Sequence, residues 1–278
     1  MDFSLKKKIK NLAKICRIKP SKMLGQNFLI DKVVLAQIIK TAELKPDDII
    51  LEIGPGSGVL TQELAKRAGK VIAVEKDQKM CQILKETLKN YKNVEIIWGD
   101  ILKINFQLQK EYKTVANLPY YITSPVIRKF LESENPPKEM VLMVQKEVAQ
   151  RICASPPKMN LLAVSVQFYA KPEIIVYVSK KSFWPQPKVD SAIIKIKPRI
   201  VADNKRIDTD LFFRIVKAGF SQPRKQLANN LSNGLKLNKE RVKLLLLKNN
   251  IQPSQRAQNL SLCDWLKLVK FFVKIFYC

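Results

Sequence analysis

The run Ile49-Ile50-Leu51-Glu52-Ile53-Gly54-Pro55-Gly56-Ser57-Gly58 constrains this chain more than any other stretch. A short β-branched segment ends in a glycine turn, and a helical pattern follows through Leu64, which predicts a buried strand, a ligand-facing turn and a helix. Glycines at such a turn let the backbone take positive φ and approach a bound molecule closely. A dinucleotide site needs G-x-G-x-x-G, but the sixth position counted from Gly54 is Val59 and from Gly56 is Thr61, so a nicotinamide cofactor fails on spacing. What remains is E-x-G-x-G-x-G, with its acid at Glu52 and no phosphate-binding lysine. That pattern suits a nucleoside with a zwitterionic amino-acid tail, and S-adenosylmethionine is such a ligand.

The segments that follow extend the same logic. From Asp48 to about Lys197, β-rich runs (Ile49 to Ile53, Val71 to Glu75, Val94 to Trp98, Thr114 to Asn117, Met140 to Val144) alternate with helical patterns, which predicts a mostly parallel α/β sheet. Two later runs, Glu173 to Val178 and Ala192 to Ile196, are joined by the loop Phe183-Trp184-Pro185-Gln186-Pro187 without a long helix between them, so an antiparallel pair should finish the sheet. Past Pro198 the β-runs stop. A polar stretch around Asp203-Asn204-Lys205-Arg206 leads into helical periodicities at Leu211 to Phe220, Arg224 to Leu231, Lys239 to Leu247 and Ser261 to Phe276, placing a domain boundary near residues 198 to 208. The last segment, with Lys267, Lys270 and Lys274 on one face, could lie on a membrane surface, but packing of its apolar face within a helical domain is the expected use of such a helix.

Ligands of open α/β sheets bind at the carboxyl ends of strands. Glu75 closes the second strand 21 positions after Gly54, where a carboxylate can accept the hydroxyls of a ribose. Asp100 closes the third strand within Gly99-Asp100-Ile101, where it can accept from an adenine amino group, with Ile101 and Lys76 on either side of the ring. Each acid alone is an ordinary loop residue; glycine, Glu and Asp on three successive strand ends form a specific pattern.

The fourth strand ends at Asn117-Leu118-Pro119-Tyr120. An exocyclic adenine amine is a poor nucleophile because its lone pair is delocalised into the ring. The Asn117 side-chain oxygen and the Leu118 backbone carbonyl can accept its two hydrogens and localise that pair, with Pro119 fixing the turn. Tyr120 is the candidate to stack on a base drawn out of its neighbours, and Phe183 the candidate for the opposite face. The nitrogen becomes acidic as it alkylates and can lose its proton to water, so a chain with no histidine can perform this chemistry. Standing alone, the tetrapeptide would be a strand-ending turn; beside the cofactor pattern it reads as a catalytic one.

Charge points the same way. Fifty Lys and Arg against 24 Asp and Glu leave a net charge of +26 on a chain that is 46% hydrophobic, so a polyanionic partner is expected rather than merely a solvated surface. Lys6, Lys7, Lys8, Lys10, Lys14, Arg17, Lys19 and Lys22 crowd the start, and a second basic region begins near Lys195. Five scattered cysteines (Cys16, Cys81, Cys153, Cys263, Cys278) without a C-x-x-C pair predict reduced thiols and no metal site. No apolar run approaches a membrane span and no signal-peptide core is present, so the expected location is cytoplasmic.

With these motifs in order, the chain resembles the ribosomal RNA adenine dimethyltransferases, which make two adjacent N6,N6-dimethyladenosines near the 3′ end of small-subunit (16S) ribosomal RNA during ribosome biogenesis. The resemblance covers nearly the whole chain and adds Gly25-Gln26-Asn27-Phe28-Leu29, Gln145-Lys146-Glu147-Val148, the run Phe183 to Ser191, and the run Phe220 to Leu231. It implies cofactor contacts for Asn27 and Leu29 beside Gly54, Gly56, Glu75, Asp100 and Asn117. RNA phosphates would meet Arg224 and Lys225, with Pro223 replacing a basic residue at what should be a first helical turn, and Lys6, Lys7 and Lys8 would add charge. The implied architecture is a basic segment over 1-24, a Rossmann-like S-adenosylmethionine-dependent methyltransferase domain with a mostly parallel sheet over 25-200, and a small all-helical RNA-binding domain over 205-278. A monomer acting on the small ribosomal subunit is expected. Two rivals stand beside it. Resistance-type methyltransferases share the fold but act on large-subunit RNA, and the FSQPRKQLANNL run argues against them; a non-catalytic ribosome-assembly factor would not need Glu75, Asp100, Asn117 and Tyr120 intact.

Overall fold

A computed structural model describes residues 3–15, 25–104, 108, 110–199 and 208–276. Helix α1 (Phe3–Ile15) precedes β1 (Phe28–Leu29) and α2 (Lys32–Ala42). Then come β2 (Ile49–Ile53), α3 (Val59–Ala65), β3 (Lys70–Glu75), α4 (Gln78–Thr87), β4 (Val94–Trp98), β5 (Lys113–Asn117), α5 (Thr123–Leu131) and β6 (Glu139–Gln145). Next are α6 (Lys146–Ile152), α7 (Leu161–Tyr169), β7 (Ala170–Val178), β8 (Phe183–Trp184) and β9 (Ser191–Pro198), and last α8 (Thr209–Gly219), α9 (Leu227–Leu235), α10 (Lys239–Lys248) and α11 (Leu262–Phe276).

The main sheet runs β4-β3-β2-β5-β6-β9-β7. The five strands from β4 to β6 are parallel, and β9 pairs antiparallel with β6, Gln145 opposite Ser191. Central strands buried on both faces must be apolar throughout, and β2 and β6 are largely so. Strand β2 pairs with β3 on one side and β5 on the other, so the chain direction switches between β2 and β5 and opens a crevice at their carboxyl ends. One face buries Ile38, Ile50, Leu64, Val115, Met143 and Ile193 together.

At the opposite, amino-terminal end of β5 and β6, two lysines are buried. Lys113 Nζ donates to the Ala42 and Glu43 carbonyls at 3.2 and 2.8 Å and pairs with Asp48 at 2.8 Å. Lys195 Nζ donates to the Thr41 carbonyl at 3.0 Å and pairs with Glu43 at 2.8 Å and Glu139 at 3.2 Å. Cations at the carbonyl end of α2 complement its dipole, so Lys195 belongs to the fold rather than to a basic RNA-facing region. Burial pushes the Lys195 ammonium down, but the Glu43 and Glu139 carboxylates outweigh it and hold it above its ordinary value.

The basic start is a helix in its described part, residues 3–15. Leu5 and Ile9 are buried against Phe28, Ile30 and Met80. Arg17, Lys19 and Lys22 lie outside the described residues, as does the polar stretch 203–206.

Two compact units emerge: Met1–Ala149 with Pro172–Pro198, and Gln150–Lys171 with Arg199–Cys278. The second takes in a segment, Gln150–Lys171, that the sequence pattern assigns to the α/β domain. Its helix α7 contributes Ala163, Val164 and Phe168 to the same core as Phe212, Leu231, Trp265 and Phe272, and the Phe168 and Phe212 ring centroids are 4.4 Å apart. Trp265, Leu268, Val269 and Phe272 of α11 are fully buried there; the side chains of Val273, Lys274 and Phe276 lie outside the described ones. No helix among the described residues is long and apolar enough to cross a membrane.

The helix expected from Arg224 starts later, at Leu227. Pro223 occupies an exposed turn, not a first helical turn: the Lys225 N–H donates to the Gln222 carbonyl at 3.0 Å, which puts proline at the second position of a β-turn, where its fixed φ is suited.

Candidate active site

A cleft open to solvent lies at the carboxyl ends of β2, β3, β4 and β5. Gly54, Gly56, Glu75, Asp100, Asn117, Leu118, Pro119 and Tyr120 all line it, and Asn27 and Leu29 close it from the segment before α2. Among the cofactor-binding candidates, every one therefore reaches the same cavity.

The glycine turn has the backbone its composition predicts. Gly54 and Gly56 have φ of +67° and +54°, and a Cβ on Gly56 would come within 3.3 Å of the Phe28 ring. That conformation aims the Gly56 N–H at Glu75 Oε2, 3.2 Å away, while Glu75 Oε1 accepts the Asp77 N–H at 2.9 Å. Burial pushes the Glu75 carboxyl up and these N–H groups oppose it. A carboxylate held by two backbone donors keeps lone pairs for ribose hydroxyls.

Glu52 is 1% exposed, and its Oε2 has no hydrogen-bond partner among the described residues. Burial, opposed by the Thr61 hydroxyl and reinforced by the nearby Glu75 charge, pushes its carboxyl up to about 8. A buried carboxyl oxygen without a partner on a cavity wall is costly unless a ligand satisfies it, and a primary ammonium group does so. At the third strand end, Asp100 accepts the Leu102 N–H at 3.0 Å and pairs with Lys76 at 3.0 Å. Burial pushes its carboxyl up, but Lys76 and the Leu102 N–H outweigh this and hold it below its ordinary value.

In the catalytic turn, Asn117 Nδ2 donates to the Asn27 carbonyl at 3.2 Å. This fixes the amide so that Oδ1 is left to accept from a substrate amine. The Leu118 N–H donates to the Met143 carbonyl at 3.2 Å and the Ile122 N–H to the Pro119 carbonyl at 3.1 Å, so the turn is tied to β6 and to its own following helix. The Tyr120 hydroxyl lies 2.8 Å from Ser191 Oγ, which sets the ring as a wall of the cleft.

The chain matches the family described as ribosomal RNA adenine dimethylase over residues 18–274. It belongs to that family. It is 45% identical over 269 residues to the ribosomal RNA small subunit methyltransferase A of Dehalococcoides mccartyi, covering 95% of this chain and 92% of that protein. It is 41% identical to the protein of the same name from Geobacillus kaustophilus, covering 92% of each. Its fold is similar to a dimethyladenosine transferase from Plasmodium falciparum (TM-score 0.77, 30% identity, 89% of this chain and 98% of that one). It is also similar to the 23S rRNA methyltransferase ErmE (TM-score 0.72, 28% identity, 88% of this chain and 98% of that one).

One of the expected site residues, Phe183, is not brought to the cleft. Phe183 is 3% exposed and packs in the core with Leu29, Val178 and Ile193, and it does not line the cleft. Strand β8 pairs Leu29 with Phe183 and Phe28 with Trp184; the alternation of β8 turns Phe183 inward and leaves Trp184 half-buried against Phe28. Sequence reasoning missed two members. Tyr121, 51% exposed, stands at the mouth of the cleft, and Ser191 orients Tyr120; the only signal for Ser191 was its place at the end of the Phe183 to Ser191 run. Of the RNA-binding candidates, Lys6 and Lys7 lie on α1, Lys7 exposed and Lys6 half-buried, and the Lys8 side chain lies outside the described ones. Arg224 and Lys225 are exposed in the turn between α8 and α9.

Proposed function

We infer that this protein transfers methyl groups from S-adenosylmethionine to the N6 amino groups of two adjacent adenines near the 3′ end of small-subunit ribosomal RNA, giving N6,N6-dimethyladenosine. The observation that carries this reading is the Asn117 amide, anchored through its nitrogen by Asn27 and lining the same cleft as the glycine turn and Glu75.

When bound, S-adenosylmethionine supplies an electrophilic methyl group. Gly54 and Gly56 admit it to close backbone approach, Glu52 meets its ammonium, Glu75 its ribose and Asp100 its adenine amine. Asn117 Oδ1 and the Leu118 carbonyl draw the two amino hydrogens of the target base and localise the lone pair that forms the new bond. Tyr120 offers its ring to the extruded base and offsets part of the unstacking cost. The proton displaced from nitrogen leaves to water. Identity of 41% to 45% with proteins named ribosomal RNA small subunit methyltransferase A supports the small-subunit substrate. We propose further that it acts as a monomer, in the cytoplasm, on the small-subunit particle, with the +26 charge suited to a polyanionic substrate.

The test is transfer of labelled methyl to undermethylated small subunits, with large subunits in parallel, followed by nucleoside analysis. Dimethyladenosine from small subunits alone is the expected result, and Asn117→Ala protein should bind cofactor yet transfer nothing. Label in large subunits, or normal turnover by the variant, would overturn the substrate or the mechanism respectively.

A further inference from the structure

Beside the catalytic turn, outside the cleft lining, the ends of three strands meet. Gln145 at the end of β6 lies opposite Ser191 at the start of β9, and the Ser191 hydroxyl holds that of Tyr120. The next residue, Lys146, donates its N–H to the Asp190 carbonyl at 3.0 Å. The Asp190 carboxylate accepts the Lys180 N–H at 3.0 Å, which fastens the chain leaving β7 to the same corner. There Lys146 Nζ stands 5.2 Å from the centroid of the Tyr177 ring.

Tyr177 is 51% exposed at this corner. Strand β7 is the outer strand of the sheet. A half-exposed ring carrying a cation is what a single-stranded nucleic acid uses: the base stacks on the aromatic face and the ammonium meets a phosphate. Drawing one adenine into a pocket splays its neighbours, which then need surfaces of their own. The corner is continuous with Tyr120 through Ser191 and Asp190.

We propose that Lys146 and Tyr177 form a docking platform for the single-stranded RNA flanking the target adenine, Tyr177 stacking a neighbouring base and Lys146 neutralising a phosphate. The proposal rests on the adenine-methylation reading. It assigns these residues to substrate binding, so they should act on KM and leave the chemical step alone.

The experiment is steady-state methyl transfer to undermethylated small subunits by wild type, Tyr177→Ala, Lys146→Ala, the double variant and Tyr177→Phe, with cofactor affinity and thermal melting measured for each. Each alanine variant should raise KM for the particle about tenfold, the scale of one base-stacking or phosphate interaction. The double variant should cost less than the product of the two, because the pair acts as one unit. Tyr177→Phe, which keeps the ring, should restore KM. Unchanged KM in both alanine variants overturns the platform, as does a fall in kcat alone, which would mean a structural effect relayed through Ser191 to Tyr120. Should wild type fail to methylate the particle, the functional reading falls; binding of a single-stranded RNA oligonucleotide by the same variants then still judges the platform, equal affinities removing it and weakened binding supporting it.

Discussion

Glu52 shows how one side chain joins stability to ligand binding. In the unfolded chain its carboxyl ionises near the ordinary value of 4.5, whereas burial in the folded protein pushes it up to about 8. Between those values the folded state holds a proton that the unfolded state has released, so the stability is fully present below the lower value and is lost as pH rises through the upper one. Thermal melting of the cofactor-free protein should therefore fall between about pH 5 and pH 8, and Glu52→Gln, which carries no charge to bury, should flatten that fall. Equal slopes in wild type and variant would remove Glu52 as the cause. Phe183 teaches the converse: strand alternation places an aromatic residue of a motif-bearing run in the core, 3% exposed.

Among elements, a buried amide ties the corner between α8 and α9. Asn230 is 3% exposed, and its Nδ2 donates to the Gly219 carbonyl at 2.7 Å and the Gln222 carbonyl at 3.0 Å. Those bonds tie the end of α8 to the turn that presents Arg224 and Lys225. Asn230→Ala leaves two carbonyls without their donor and should cost about 1–3 kcal/mol, read as a shift in the denaturant midpoint. A cost of less than about 0.5 kcal/mol would show that solvent replaces the amide. The run Phe220 to Leu231 contains two adjacent asparagines, Asn229 and Asn230, and nothing in their spacing distinguishes the one that turns inward. Helix phase, set by packing of Leu227, Ala228 and Leu231 into the core, makes that choice.

For the whole molecule, the excess of positive charge is the dominant long-range property. A net charge of +26 on 278 residues makes association with RNA an exchange of condensed counterions, so affinity should fall steeply and linearly on a log–log plot as salt rises. Replacing Arg224 and Lys225 with alanine should reduce the magnitude of that slope by about 1 for each phosphate no longer neutralised. Titrations of labelled RNA across a salt series check both, and a salt-insensitive complex would point instead to apolar or shape-driven association. Not all of the basic residues are available to RNA: Lys113 and Lys195 are each 7% exposed and neutralised by Asp48, Glu43 and Glu139.

The parallel sheet, the glycine turn and the strand-end residues Glu75, Asp100 and Asn117 were legible in the amino-acid sequence alone. Periodicity, turn chemistry and spacing are short-range properties, and a strand feeding a glycine turn can end only at the carboxyl edge of the sheet. Packing settled what lies far apart in sequence yet touches: Asn27 on Asn117, Ser191 on Tyr120, Lys195 under the end of α2, and α7 in the core of the C-terminal helices. Those contacts follow from which faces of separate elements come together, and a local pattern carries no record of the neighbour that will cover it.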